Sequence, residues 1–241
     1  RGDLGSGTSS RFHGMLQSGA RYAVSDTEYA AECMRERLII AKLIPEVVEE
    51  TGGMFVSLPD DPPLFADKFF NCCRSAHIPV KELDPSFIRD QEPAINHNIL
   101  RGFSVPDATI QPWRLLNLIA DDIKMRGGAI LTRHKVEKVN SINGVISGAE
   151  ICSLNGEKIR LDADVIVNAS GPWSNRVASM IGETVDIELG KGSIIVFSHR
   201  IVSRAVNRCR PPTSHDILVP TGTISLFGTT SEVVNDPDTT F

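Results

Sequence analysis

DADVIVNASGPWSNRV, residues 162–177, joins an apolar triplet to a small-residue turn and a helix start. Val165, Ile166 and Val167 are too uniformly apolar for a strand with one wet face. They predict a strand central in a sheet covered on both sides. Asn168, Ala169, Ser170 and Gly171 follow at its carboxyl end, where open α/β sheets bind ligands, and the small side chains let backbone lie against a flat or phosphorylated molecule. The same order of strand, glycine and helix also serves plain packing, and no Gly-x-Gly-x-x-Gly accompanies it.

The surroundings predict the rest of the fold. Upstream, Asn143-Gly144 and Asn155-Gly156 are strong hairpin turns and divide strands at 129–134, 136–142, 145–152 and 157–161 into a β-meander. Before it, Ser25 and Glu28 have capping-box spacing, and Leu38, Ile39, Leu43 and Val47 recur at helical intervals, giving a helix over 26–49 that Pro45 kinks or splits. A strand at 54–58 closes on the Pro-Asp-Asp-Pro-Pro turn at 59–63. Further helices are expected over 64–76, from Asp84-Pro85, and from Gln111-Pro112-Trp113 to the Gly127-Gly128 stop. Downstream, strands are expected at 185–189, 192–198, 216–219 and 223–230.

Composition narrows the class of function. The chain has 241 residues, 41% hydrophobic and 23% charged, with a formal net charge of −5, which is ordinary for a globular protein and wrong for a surface that must neutralise nucleic-acid phosphates. Five cysteines without a Cys-x-x-Cys pair suggest neither a disulfide framework nor a zinc or iron–sulfur knuckle, so no metal site is expected. No apolar run is long enough to span a membrane and no charged-then-apolar leader opens the chain, so the expected place is the cytoplasm, peripheral to a membrane at most.

Taken together, TSSRFHGMLQSGARY (8–22), PDATIQPWRL (106–115), VIVNASGPWSNRVA (165–178), GKGS (190–193), RCRPP (208–212) and LVPTGTISLFGTTS (218–231) closely resemble the FAD-dependent glycerol-3-phosphate dehydrogenases of the D-amino-acid-oxidase-like flavoprotein superfamily. The resemblance covers essentially the whole chain and is nearest the anaerobic, large-subunit type. It implies a mixed α/β fold: an incomplete FAD-binding Rossmann-like domain with a β-meander over 1–50 and 107–182, interleaved with a sheet-containing substrate or cap domain over 51–106 and 183–241. In such proteins the glycine-rich turn lies roughly thirty residues upstream of the Gly-Thr-Ser segment. The sequence is therefore expected to be an internal piece of a longer enzyme, without that turn and without the later Gly-x-Arg flavin contact.

The resemblance also assigns residues. Thr8, Ser9 and Ser10 would lie near the flavin phosphates and ring, and Ser170 and Gly171 at the cofactor turn. His13, Gly14, Leu16 and Gln17 would run along the isoalloxazine, and Val136 would touch the adenine through its backbone. Arg21 and Tyr22 would face flavin and substrate, a planar guanidinium suiting a pair of phosphate oxygens, with Arg210 as a second basic ligand. Relatives commonly carry histidine where Gln17 stands, and aerobic ones carry it where Ile194 stands, so the catalytic base is left unassigned. The implied reaction is oxidation of a small phosphorylated polyol, sn-glycerol 3-phosphate, to dihydroxyacetone phosphate, with electrons passing to a quinone or a partner electron-transfer subunit. Two alternatives stay open: a related amino-acid or hydroxy-acid oxidase, or an inactive substrate-domain or interaction module.

Overall fold

The computed structural model describes residues 2–213 and 216–239. In chain order these form β1 (Met15–Leu16), α1 (Thr27–Leu43), β2 (Val48–Glu49), β3 (Gly53–Ser57), α2 (Phe65–Ser75), β4 (Lys81–Leu83), α3 (Pro85–Gln91), β5 (Arg101–Val105), β6 (Ala108–Ile110) and α4 (Pro112–Met125). There follow β7 (His134–Ile142), β8 (Val145–Ser153), β9 (Lys158–Asp162), α5 (Ser174–Ala178), β10 (Leu189–Lys191), β11 (Ile194–Phe197), β12 (Ala205–Arg208), β13 (Ile217–Thr221), β14 (Ile224–Gly228) and β15 (Glu232–Val234). They divide into two compact units, each discontinuous in sequence: one of residues 12–115 and 192–231, the other of residues 1–11, 116–191 and 232–241.

The first unit is built on a seven-stranded mixed sheet, ordered β11-β14-β13-β12-β3-β5-β4. Strand β3 is buried throughout because it pairs with β12 in parallel on one side and with β5 antiparallel on the other. Helix α2 packs Ala66, Phe69 and Cys73 onto this sheet at i, i+3 and i+7. Phe69 lies between Phe55 and Phe103, ring centroids 4.5 and 5.6 Å away. Burying each such ring contributes about 1.5–3 kcal/mol of hydrophobic stabilisation, which makes this stack the main anchor of the helix. A smaller sheet, β1-β6-β2, carries the segment that leads into α1.

Local chemistry sets the helix ends. Asp26 caps α1, its carboxylate accepting the Tyr29 N–H at 2.9 Å, so Asp26 takes the place expected of Ser25. Pro45 splits the predicted helix: α1 stops at Leu43, and a 3-10 turn over Pro45–Val47 leads into β2. Asp84 caps α3 with Pro85 at its first position, and Gly127, at φ +82°, ends α4.

The second unit holds the meander β7-β8-β9 and the pair β10-β15. Asn143 and Gly144 both have positive φ (+50° and +79°), the condition for the tight turn their identity predicts. Three expectations fail here. Of the strand expected at 185–189, residues 185–188 have no strand assignment, and β10 begins only at Leu189. Residues 129–133 form no strand, because Arg133 takes φ +58° and donates its N–H to the Gly2 carbonyl. Residues 165–167 are not a buried central strand either: they have no strand assignment, and Val165 and Val167 are 75% and 83% exposed. An apolar triplet reports a demand for burial, but becomes a strand only where neighbours supply its hydrogen bonds, and no strand pairs with it among the described residues.

Candidate functional site

The segment following β1 is shaped by one buried carboxylate. Asp107 Oδ1 accepts both the backbone N–H and the hydroxyl of Ser18, each at 2.7 Å. Next in the chain, Gly19 has φ +87°, and a Cβ there would fall 2.2 Å from the Ala30 carbonyl oxygen, so only glycine lets the chain pass this close to α1. The 3-10 turn Ala20–Tyr22 follows at once and projects Arg21. Tyr22 is fixed by an edge-on contact with Tyr29 (centroids 5.2 Å).

Arg21 is half-buried. Its Nη2 donates to the Thr213 carbonyl at 3.1 Å, and among the described residues no carboxylate lies within 4.0 Å of it. Burial pulls its pKa down and the Asp216 carboxylate and Tyr22 pull it back up, but a guanidinium stays charged throughout the physiological range. Arg210, just past the end of β12, is neutralised: its Nη2 meets Asp216 at 2.5 Å and the Thr213 hydroxyl at 3.1 Å. Asp216 also accepts the Thr213 N–H (2.6 Å) and hydroxyl (2.7 Å). Burial raises the Asp216 pKa, and these contacts from Thr213 and Arg210 outweigh it, leaving the group below the usual carboxylate range. Arg208 is likewise held, by Asp61 (2.6 Å) and Asp60 (3.0 Å).

His13 stands two residues before Met15, whose N–H it accepts at Nδ1 (3.2 Å). Burial, and then the Arg21 charge, lower its pKa below the ordinary 6.5, so it is neutral at pH 7. A neutral ring accepting at Nδ1 carries its proton on Nε2, and His13 therefore offers a donor there. Gly14, at φ +72°, lets its carbonyl reach the Ile110 N–H at 2.7 Å. The Leu16 side chain is buried with Ala108 and Ile110. Gln17 keeps Oε1 buried, without a hydrogen-bond partner among the described residues.

The second unit carries the other expected residues. Thr8–Ser10 form a 3-10 turn in which the Ser10 hydroxyl donates to the Gly5 carbonyl, and Thr8 and Ser9 are exposed. Gly171 (φ +57°) faces Thr8 closely enough that a Cβ there would come within 3.9 Å of the Thr8 hydroxyl. Asn168 organises this turn: its Oδ1 accepts from the Ser170 hydroxyl (2.7 Å) and its Nδ2 donates to the Ser174 carbonyl (2.9 Å). Val136 lies on β7 opposite Ile151 with an exposed side chain.

Sequence reasoning named Arg21 and Arg210, which the structure brings to one threonine, and missed what joins them. Thr213, Asp216, Asp107 and Asn168 are ordinary polar residues with no local signature; Thr213 is 192 positions from Arg21, and Asp107 is 89 from Ser18.

The fold and these small-residue turns are those of a flavoprotein, and the chain matches the FAD dependent oxidoreductase family (DAO) over residues 1–241 and belongs to it. Within that family it is 40% identical over 232 residues to a subunit of the anaerobic glycerol-3-phosphate dehydrogenase of Escherichia coli K12, with 96% of the chain and 43% of the relative covered. It is 36% identical over 250 residues to a subunit of the anaerobic glycerol-3-phosphate dehydrogenase of Haloferax volcanii, with 99% of the chain and 42% of the relative covered. The chain spans less than half the length of these curated relatives. Among solved structures, the L-alpha-glycerophosphate oxidase of Mycoplasma pneumoniae superposes with a TM-score of 0.80 at 14% identity, over 98% of this chain and 64% of that one, which establishes the shared fold.

The described residues fit the family's cofactor. Gly171, at φ +57°, carries no side chain beside Thr8, the Thr8 and Ser9 residues are exposed, and the buried Gln17 Oε1 has no hydrogen-bond partner among the described residues.

Proposed function

We propose that this chain is the cofactor- and substrate-binding core of an FAD-dependent glycerol-3-phosphate dehydrogenase, which converts sn-glycerol 3-phosphate to dihydroxyacetone phosphate. The observation that carries the reading is the contrast between Arg21 and Arg210: among the described residues one guanidinium hydrogen-bonds only a backbone carbonyl while the other is matched by Asp216. A half-buried cation with no carboxylate within ion-pair distance suits a phosphate group. Arg21 would clamp it in bidentate fashion, with Tyr22 beside it. Arg210 supports that binding by holding Thr213 against Arg21, and contributes its own charge more weakly because Asp216 shares it.

Thr8, Ser9, Ser10, Val136, Ser170 and Gly171 would hold the FAD phosphates and adenosine, and His13, Gly14, Leu16 and Gln17 the ring. Residues 1–50 and 107–182 would then form the FAD-binding part, and 51–106 and 183–241 the substrate part. When bound, FAD would supply the acceptor for the hydride that leaves the carbon bearing the secondary hydroxyl. The hydroxyl proton leaves to a base not assigned among these residues. His13 is the wrong tautomer to accept that proton at Nε2, and acts instead as a neutral donor that orients an oxygen.

Kinship with proteins that are each one component of a multi-subunit dehydrogenase supports a quinone or a partner electron-transfer protein as the acceptor. We propose a cytoplasmic enzyme, peripheral to the membrane at most, as a quinone or partner-protein acceptor would suit. Among the described residues no helix is long and apolar enough to cross a membrane.

The test is anaerobic mixing of the full-length, FAD-loaded enzyme with candidate substrates. Glycerol 3-phosphate is expected to bleach the flavin absorbance while glycine, D-alanine and lactate do not. Bleaching by an amino acid or hydroxy acid, with none by glycerol 3-phosphate, would overturn the reading.

A further inference from the structure

Asn207 is the most deeply buried polar side chain with nothing to bind. It is 1% exposed, and neither Oδ1 nor Nδ2 has a hydrogen-bond partner among the described residues. Leaving both ends of a buried carboxamide unsatisfied is strongly unfavourable, so such a group signals a ligand or an ordered water.

Strand register shows which face it occupies. Asn207 on β12 stands opposite Phe55 of β3 and Ile217 of β13, and alternation puts it on the same face as Ala205 and Cys209. Ala205 and Ile217 pack with Met15. Phe55 and Cys209 belong to the cluster of Ala20 and Ala23. Met15, Ala20 and Ala23 of the segment 15–23 therefore pack on the sheet face that Asn207 shares, beside α2. The same segment carries Arg21 and Gln17, whose buried Oε1 also has no partner among the described residues.

We infer that Asn207 is a specificity residue that binds the terminal hydroxyl of the polyol substrate. This rests on the reading that the substrate is glycerol 3-phosphate, with Arg21 taking the phosphate. A carboxamide offers a donor and an acceptor about 2 Å apart on one plane, matching a group that both gives and takes a hydrogen bond. The terminal hydroxyl keeps both capacities from substrate to product, whereas the secondary hydroxyl becomes a ketone and loses its proton. A contact equal in ground and transition states acts on KM and not on kcat.

The experiment uses the full-length holoenzyme and two substrates, glycerol 3-phosphate and propane-1,2-diol 1-phosphate, which lacks only the terminal hydroxyl. The parent is expected to favour glycerol 3-phosphate in kcat/KM by about tenfold or more, since a site built for a hydroxyl rejects its absence. Asn207→Leu should raise KM for glycerol 3-phosphate at unchanged kcat and flavin content, and bring the ratio towards one. Asn207→Ser, smaller and still polar, should restore part of the preference if the leucine variant folds poorly. A readout independent of turnover is titration of the flavin spectrum with dihydroxyacetone phosphate and hydroxyacetone phosphate; the variants should weaken only the first. A parent indifferent to the terminal hydroxyl, or variants that keep its preference, overturns the assignment while leaving the proposed reaction intact. A parent flavin that glycerol 3-phosphate does not reduce sinks both.

Discussion

Arg21 and Arg210 converge on Thr213, one guanidinium on its carbonyl and the other on its hydroxyl, each at 3.1 Å. Asp216 holds the same threonine and pairs directly with Arg210, while its charge reaches Arg21 without an ion pair among the described residues. Positive charge is thus kept in place beside a neutralised pair, which is how a protein of net charge −5 would keep the local anion site proposed at Arg21.

Replacing Arg21 by alanine should remove a charge-assisted contact worth about 1.5–3 kcal/mol, lowering kcat/KM for glycerol 3-phosphate at least about tenfold with normal flavin content. Lysine should rescue only in part, because a point charge cannot reproduce two parallel hydrogen bonds. Glycerol, which has no phosphate, is the control: it should be turned over equally poorly by parent and variant. An equal loss on both substrates would mean that Arg21 positions the loop or the flavin.

Asp216→Asn should weaken the fold by about 1–3 kcal/mol near pH 7, since it loosens the bonds to Thr213 and Arg210. The folded carboxyl titrates below its ordinary 3.8, so its contribution is complete above that value and disappears as pH falls through the depressed one. Melting temperature measured from pH 7 to pH 2 should show a shallower acid limb in the variant. An unchanged acid limb would remove Asp216 from the stability account.

Thiol reactivity should divide the five cysteines. Burial pushes both Cys73 and Cys209 up to about 12, and each is fully enclosed, whereas Cys33, Cys72 and Cys152 are half-buried. Iodoacetamide at pH 8 should therefore label at most three sites on the native protein and all five after denaturation, as counted by mass spectrometry. Early labelling of Cys209 would place its cluster outside the core.

Signals confined to a few neighbouring residues were legible in the sequence. Pro45 splits its helix, Asp84-Pro85 starts one, and Asn143-Gly144 turns a hairpin, because each acts on backbone dihedrals within its own turn. The sheet order was not legible. β12 is four residues long, with Asn207 and Arg208 in half of it, and its place beside β3 depends on a partner about 150 residues away. The triplet 165–167 shows the converse error, since apolar composition predicts burial without specifying which strand would pair with it. At the site, the Arg-Tyr run was visible as a motif, but Asp107, Thr213 and Asp216 act only through folding that brings distant segments together.

The tight passage of Gly19 beneath the Ala30 carbonyl makes helix α1 and the Ala20–Tyr22 turn, the proposed binding loop, thermodynamic partners. With no space between them, the Ala20–Tyr22 turn cannot shift unless the first turns of α1 shift too, so an opening of one exposes the other. Linkage then works in both directions: an anion that fastens Arg21 must also hold the amino end of α1 closed. Hydrogen exchange on the holoenzyme should show the amides of residues 29–34 slowing when glycerol 3-phosphate or inorganic phosphate is added, while those of the β7–β8 hairpin keep their rates. The helix would then serve as an internal reporter of occupancy, readable without turning the enzyme over.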